Sequence, residues 1–116
     1  MSDTSLEESG PPFVDLCALE DLPAGEAIAF RANDRDLLLC RSDAEVFAIA
    51  NRCSHAAWDL AGSEIASGEI VCALHGARFD LRTGEATERP ATRPLQTFLV
   101  RLREGRVEVR VPPPPR

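Results

Sequence analysis

Short stretches of alternating apolar and polar residues, separated by turn-forming pairs, run through most of this chain. Glu26 to Arg31 reads E-A-I-A-F-R, Asn33-Asp34 supplies a turn, and Asp36 to Arg41 follows as D-L-L-L-C-R. Ser42-Asp43 is a second turn before the apolar run Val46 to Ala50. Near the other end Phe98, Val100 and Leu102 alternate with Leu99, Arg101 and Arg103. Glu104-Gly105 then turns the chain into Val107, Val109 and Val111, which alternate with polar neighbours. A period of two with such turns predicts strands, and the last pair predicts a hairpin with one buried and one wet face. No window supports a long amphipathic helix. Ala56 to Ala61 has the composition for one helical turn, which Gly62 and Gly68 limit.

The segment from Asn51 to about Arg93 interrupts this regularity. It carries Gly62, Gly68, Gly76 and Gly84, with short strands expected only at Glu69 to Ala73 and Arg78 to Leu81. The pattern therefore predicts an all-β framework holding a small, loop-rich unit between its strands. Its core is expected to include Ile28, Leu37, Leu39, Ile49, Val100, Leu102, Val107 and Val109. One domain is expected over residues 13–111, with disordered tails at 1–12 and, rich in proline, at 112–116.

Composition narrows the functional classes. The 116 residues suffice for one domain with a real core, and 44% hydrophobic content fits a folded, soluble protein. The first twelve residues have neither a basic nor an apolar signal region, and no apolar run reaches spanning length, so a cytoplasmic location without membrane contact is expected. A net charge of −6 argues against nucleic acid as a partner. The charge is uneven: up to Glu45 eleven acids face three arginines, and from Val46 onward eight acids face ten.

Chemistry concentrates in two mixed pairs. The chain has two histidines, one in Cys53-Ser54-His55 and one in Cys72-Ala73-Leu74-His75, with sixteen residues between His55 and Cys72. Sulfur and imidazole at such spacing suit zinc or an iron–sulfur cluster. Structural zinc knuckles usually pair like with like, whereas here each pair is mixed, an order that suits a two-iron cluster. Cys17 and Cys40 have no histidine nearby and read as buried spectator thiols; a disulfide between them is disfavoured in a reducing compartment.

With these residues the sequence resembles the Rieske [2Fe–2S] family, whose fingerprint is C-x-H, a gap of similar length, then C-x-x-H. The likeness continues through Trp58, Leu60 and Gly62 after the first pair and through Gly76, Phe79-Asp80 and Thr83-Gly84 after the second. Pro90 and Pro94-Leu95 stand where the family carries a proline-containing loop beside its cluster. The resemblance implies a Rieske iron–sulfur fold: an antiparallel β-sandwich base with an inserted cluster-binding subdomain over about 51–93. It also implies that Cys53 and Cys72 bind one iron through thiolates while His55 and His75 bind the other. Neutral imidazoles make such a site less negative than an all-thiolate one and so easier to reduce. Respiratory Rieske subunits add a disulfide and two hydroxyl donors; here those positions are Trp58, Leu74, Ala77 and Phe79. Fewer donors imply a midpoint near the low end of the Rieske range, roughly −150 mV.

Such a chain is similar to the soluble ferredoxins of bacterial aromatic-ring dioxygenase systems. It is expected to be a monomeric one-electron carrier rather than an enzyme. Its partners would be an NAD(P)H-dependent flavin reductase and a Rieske-type terminal oxygenase. The alternative is the small Rieske subunit of an assimilatory nitrite reductase or similar complex. A catalytic oxygenase would need a 2-His-1-carboxylate iron site, and both histidines are already assigned. A zinc-stabilised interaction module is the remaining rival, and it would be colourless.

Overall fold

Among the described residues the strand patterns become three small antiparallel sheets enclosing two apolar clusters. The computed structural model describes residues 12–43, 45–51, 60–72, 76–88 and 94–112. The first sheet contains β1 (Phe13–Ala18), β10 (Val100–Arg103) and β11 (Arg106–Arg110), in the order β1-β11-β10. The second contains β2 (Ala27–Ala32), β3 (Arg35–Ser42), β4 (Glu45–Ala50) and β9 (Thr97–Phe98), in that order. The third is built from three-residue strands, β5 (Glu64–Ala66), β6 (Glu69–Val71), β7 (Arg78–Asp80) and β8 (Ala86–Glu88), again in chain order. The helical content of the described residues is a single 3₁₀ turn at Leu19–Asp21. This all-β architecture agrees with the expectation from sequence.

Strand β3 explains how the layers are joined. Leu37, Leu38, Leu39 and Cys40 are all fully buried, although consecutive strand residues point to opposite faces. Leu37 and Leu39 enter a cluster with Val46, Ala48, Phe98, Val107 and Val109, between the first and second sheets. Leu38 and Cys40 enter another with Ile49, Leu60, Ile70, Phe79 and Leu81, between the second and third. The second sheet is thus covered on both faces along β3, which is why that strand reads as a continuous apolar run.

Turn chemistry matches the hairpins. Asn33 and Asp34 both take positive φ, 52° and 62°, as a two-residue turn between right-twisted strands requires. The Asn33 side-chain amide donates to the Val111 carbonyl at 2.6 Å, and Arg35 Nε donates to the Pro112 carbonyl at 2.7 Å. Pro112 is therefore docked on the β2–β3 turn. Beyond it, residues 113–116 fall outside the described residues, as do residues 1–11.

Two expectations need adjustment. Leu102 is 46% exposed rather than core. It lies opposite Val107 on the inward side, but β10 is the edge of its sheet and leaves it uncovered. Ile28 and Val100 are only partly buried and pack against the cluster rather than within it. The other expected core residues, Leu37, Leu39, Ile49, Val107 and Val109, are fully buried. Most of the Ala56 to Ala61 stretch lies outside the described residues, and Ala61 itself is in a turn.

The third sheet departs from and returns to one place. Strand β4 pairs with β9, and just beyond that pairing the Ala50 amide donates to the Gln96 carbonyl at 2.9 Å. Everything from Asn51 to Leu95 leaves and re-enters the second sheet through that hydrogen bond.

Candidate metal centre

Of the four expected ligands, the structure describes Cys72; Cys53, His55 and His75 lie outside the described residues, as does Trp58. Cys72 follows β6 directly and is fully buried, with no disulfide partner. Its backbone is tied to the residues beyond segment 73–75: its amide donates to the Ala77 carbonyl at 2.7 Å and its carbonyl accepts from the Gly76 amide at 2.9 Å. Gly76 has φ of 74°, and open space surrounds the position where a Cβ would stand, so backbone conformation alone calls for glycine here.

The chain ends bordering the remaining gaps gather around the same apolar cluster. Residues 52–59 start after Asn51 and end at Leu60, and the Leu60 amide donates to Asn51 Oδ1 at 2.9 Å in a buried hydrogen bond. Residues 89–93 precede Pro94 and Leu95, and the Leu95 amide donates to the Gly84 carbonyl at 2.7 Å. Leu60, Cys72, Ala77 and Leu95 all belong to the cluster that contains Phe79 and Leu81. Three loop roots therefore meet on one dry, apolar floor.

Gly84 fixes the third root by close approach. Its φ is +82°, and a Cβ there would collide with the Leu95 carbonyl oxygen and come within 3.0 Å of Thr97 Cγ2. Arg78 and Arg82, near the expected ligands in sequence, are engaged elsewhere. Arg78 pairs with Glu69 at 3.2 Å across β6 and β7. Arg82 pairs with Glu45 at 2.7 Å and lies over the Phe47 ring at 5.3 Å, tying the β7–β8 turn to β4.

The other thiols behave differently. Cys40 is enclosed in the cluster between the second and third sheets, and burial pushes its thiol up to about 12. Cys17 is half-buried at the edge of the other cluster, and desolvation raises its pKa against the opposing pull of Arg106. Both are free thiols in different clusters. A spectator role fits Cys40 fully, while Cys17 is less buried than expected because its strand lies at a sheet edge.

The donor chemistry suits a two-iron cluster. Cys72 offers a thiol in an apolar setting, where a charge-neutral metal assembly is better accommodated than a bare thiolate. Ala77 and Phe79 are both fully buried and bring no hydroxyl to the floor. Asn51 and its hydrogen bond to Leu60 are not apparent from motif reading. The available signal is a polar residue directly after the buried strand β4 and two positions before Cys53.

Comparison with known proteins agrees with this chemistry. The family model described as Rieske [2Fe–2S] domain matches residues 12–99. The ferredoxin component of biphenyl 2,3-dioxygenase from Rhodococcus jostii (strain RHA1) is 39% identical over 87 residues, 75% of this chain and 81% of that protein. Among solved structures, the ferredoxin of carbazole 1,9a-dioxygenase from Nocardioides aromaticivorans IC177 superposes with a TM-score of 0.81 at 33% identity. It covers 84% of this chain and 95% of that one. A complex of reduced oxygenase and oxidized ferredoxin in carbazole 1,9a-dioxygenase matches with TM-score 0.79 at 28% identity, over 84% of this chain and 92% of that one. A protein described as a nitrite reductase small subunit shares the fold at 22% identity and TM-score 0.72, over 84% and 96% of the two chains.

Proposed function

The chain belongs to the Rieske [2Fe–2S] domain family, and from that membership we propose that it carries electrons from an NAD(P)H-dependent flavin reductase to a Rieske-type terminal oxygenase. It is an electron-transfer component with a [2Fe–2S] cluster, not an enzyme in its own right. The observation that supports the route best is the likeness to a ferredoxin component over 81% of that relative's length. The nitrite reductase reading has support only at the level of fold, at 22% identity. No described helix is long and apolar enough to cross a membrane, and we place the chain in the cytoplasm as a soluble monomer.

In this reading Cys53 and Cys72 would hold one iron, and His55 and His75 the other. The cluster supplies reversible one-electron uptake. The rest of the work is done by the chain. Leu60, Phe79, Leu81 and Leu95 form an apolar floor that keeps water from the thiolate side. Ala77 and Phe79 withhold the hydroxyl donors that would favour reduction, which sets a low midpoint of roughly −150 mV. As ligands, His55 and His75 would each keep a second ring nitrogen that can hold or release a proton.

Visible absorption and EPR of the purified protein test the metal: a coloured protein with a rhombic signal on reduction is expected, and a colourless zinc protein would overturn the proposal. The route is tested by reconstitution with a flavin reductase and a Rieske oxygenase. Oxygenase turnover should depend on the chain, and turnover undiminished without it would exclude this role.

A further inference from the structure

We infer that Asn51 is a positioning residue, whose side-chain carbonyl ties together the residues bordering segment 52–59 and thereby sets how firmly Cys53 and His55 would hold the cluster. The inference rests on the assignment of Cys53 and His55 as ligands, since both lie in that segment. Asn51 is the polar residue that joins the buried set among the described residues, and it is 9% exposed. A polar group kept in a core calls for a partner and a reason. The partner is the Leu60 amide, at 2.9 Å in a buried contact.

Both ends of this bond are themselves anchored. The Asn51 amide donates to the Asp36 carbonyl of β3 at 3.0 Å. At the other end the Leu60 side chain is fully buried in the apolar cluster, its carbonyl accepts from Ser63 at 3.0 Å, and the nearby Gly62 amide donates to Ala27 at 3.2 Å. The side-chain bond adds nothing to any strand ladder. It joins Asn51 to Leu60, the residues that border segment 52–59, and that segment carries two of the four proposed ligands. Removing the acceptor leaves the Leu60 amide buried without compensation, a cost that falls on that segment rather than on the sheets.

The test compares holoprotein carrying Asn51→Leu, which keeps the volume and removes the acceptor, with Asn51→Asp, which restores an oxygen at the same place. Three readouts are taken: the rate of cluster release to an iron chelator, the g-values of the reduced cluster, and the thermal midpoint. Asn51→Leu should release its cluster on the order of tenfold faster, from the loss of one buried hydrogen bond, with shifted g-values. Asn51→Asp should return the release rate to within about threefold of the parent. Val107→Ala, in the opposite cluster, controls for general destabilisation: it should lower the thermal midpoint and leave the g-values unchanged. Unaltered release and g-values in Asn51→Leu, or no recovery in Asn51→Asp, would overturn the inference. If Asn51→Leu does not fold, hydrogen exchange in the parent decides: a protected Leu60 amide supports the inference and a freely exchanging one overturns it. A parent lacking any Rieske spectrum would instead remove the ligand assignment, and this inference with it.

Discussion

The first two sheets and the third solve the same problem with different means. Strands β2, β3 and β4 are six to eight residues long and pair over most of their length. Strands β5 to β8 are three residues each. The long strands hold themselves by ladder hydrogen bonds and by two layers of buried leucine and valine. The short strands have little ladder to share. Their order comes from one apolar cluster, borrowed in part from the back of the second sheet, and from single clamps at Asn51, Cys72 and Gly84. Stability in the base is spread over many equivalent contacts, whereas around the centre it rests on a few that are not interchangeable.

The largest expected effect breaks this comparison at the ligands. Cys53→Ser, Cys72→Ser or His75→Ala should abolish or severely alter the visible absorption while far-UV circular dichroism keeps its β signature. Cys17→Ser should retain full colour, and a bleached Cys17 variant would shift the ligand assignment. The next effect sharpens the boundary between layers, because Leu38 and Leu39 are equally buried on opposite faces of β3. Each change to alanine should cost about 2–5 kcal/mol in denaturant unfolding. Leu38→Ala alone should also speed cluster release to a chelator, since its side chain belongs to the floor beneath the centre.

A smaller effect separates a clamp from an ordinary turn. Gly84→Ala meets both positive φ and the Leu95 carbonyl, whereas Gly62→Ala meets positive φ in open space. Thermal unfolding should show a loss of about 1–3 kcal/mol or more for Gly84→Ala and a lesser one for Gly62→Ala. The last effect is graded with pH. The folded Cys40 thiol holds its proton up to about 12, against 9.0 for the unperturbed group. The folded state then binds more protons than the unfolded state between these values. Stability is complete below about pH 9 and declines as pH rises toward 12, by at most about 1.4 kcal/mol per unit. The chain has neither lysine nor tyrosine to obscure this window. Urea titrations at pH 8, 9, 10 and 11 should show the slope, and Cys40→Ala should remove most of it, leaving the smaller contribution of Cys17.

The same contrast governs what could be read from the residues. Strands β10 and β11 are legible because apolar and polar positions alternate along them, and β2, β3 and β4 because turn residues bound their short apolar runs. Leu38 is not legible as core from alternation: L-L-L-C has no polar partner positions, and only a sheet covered on both faces gives it meaning. Strand β1 is obscured by the irregularity between Asp15 and Cys17, which breaks its register with β11. Strands β5 and β8 are too short to display a period at all. The proposed centre is read on the opposite ground, since the pairing of Cys53 with His55 and Cys72 with His75 depends on residue type and spacing rather than on a period. Asn51 carries neither a period nor a motif, and its part emerges only from where Leu60 returns.

The hydrogen bond from Ala50 to Gln96 has a consequence for chain connectivity. Two neighbouring antiparallel strands are about 5 Å apart, so the forty-odd residues between them form a cassette with adjoining ends. Closing such a gap with a tight two-residue turn costs little entropy compared with closing the full excursion. A shortened chain would then bare the face of Leu38, Cys40 and Ile49, and would need polar residues there to remain soluble. Conversely, a host for the cassette would have to supply more than adjoining ends: an apolar face like that of Leu38, Cys40 and Ile49, a carbonyl in the place of Ala27 to accept from Gly62, and a carboxylate in the place of Glu45 to pair with Arg82.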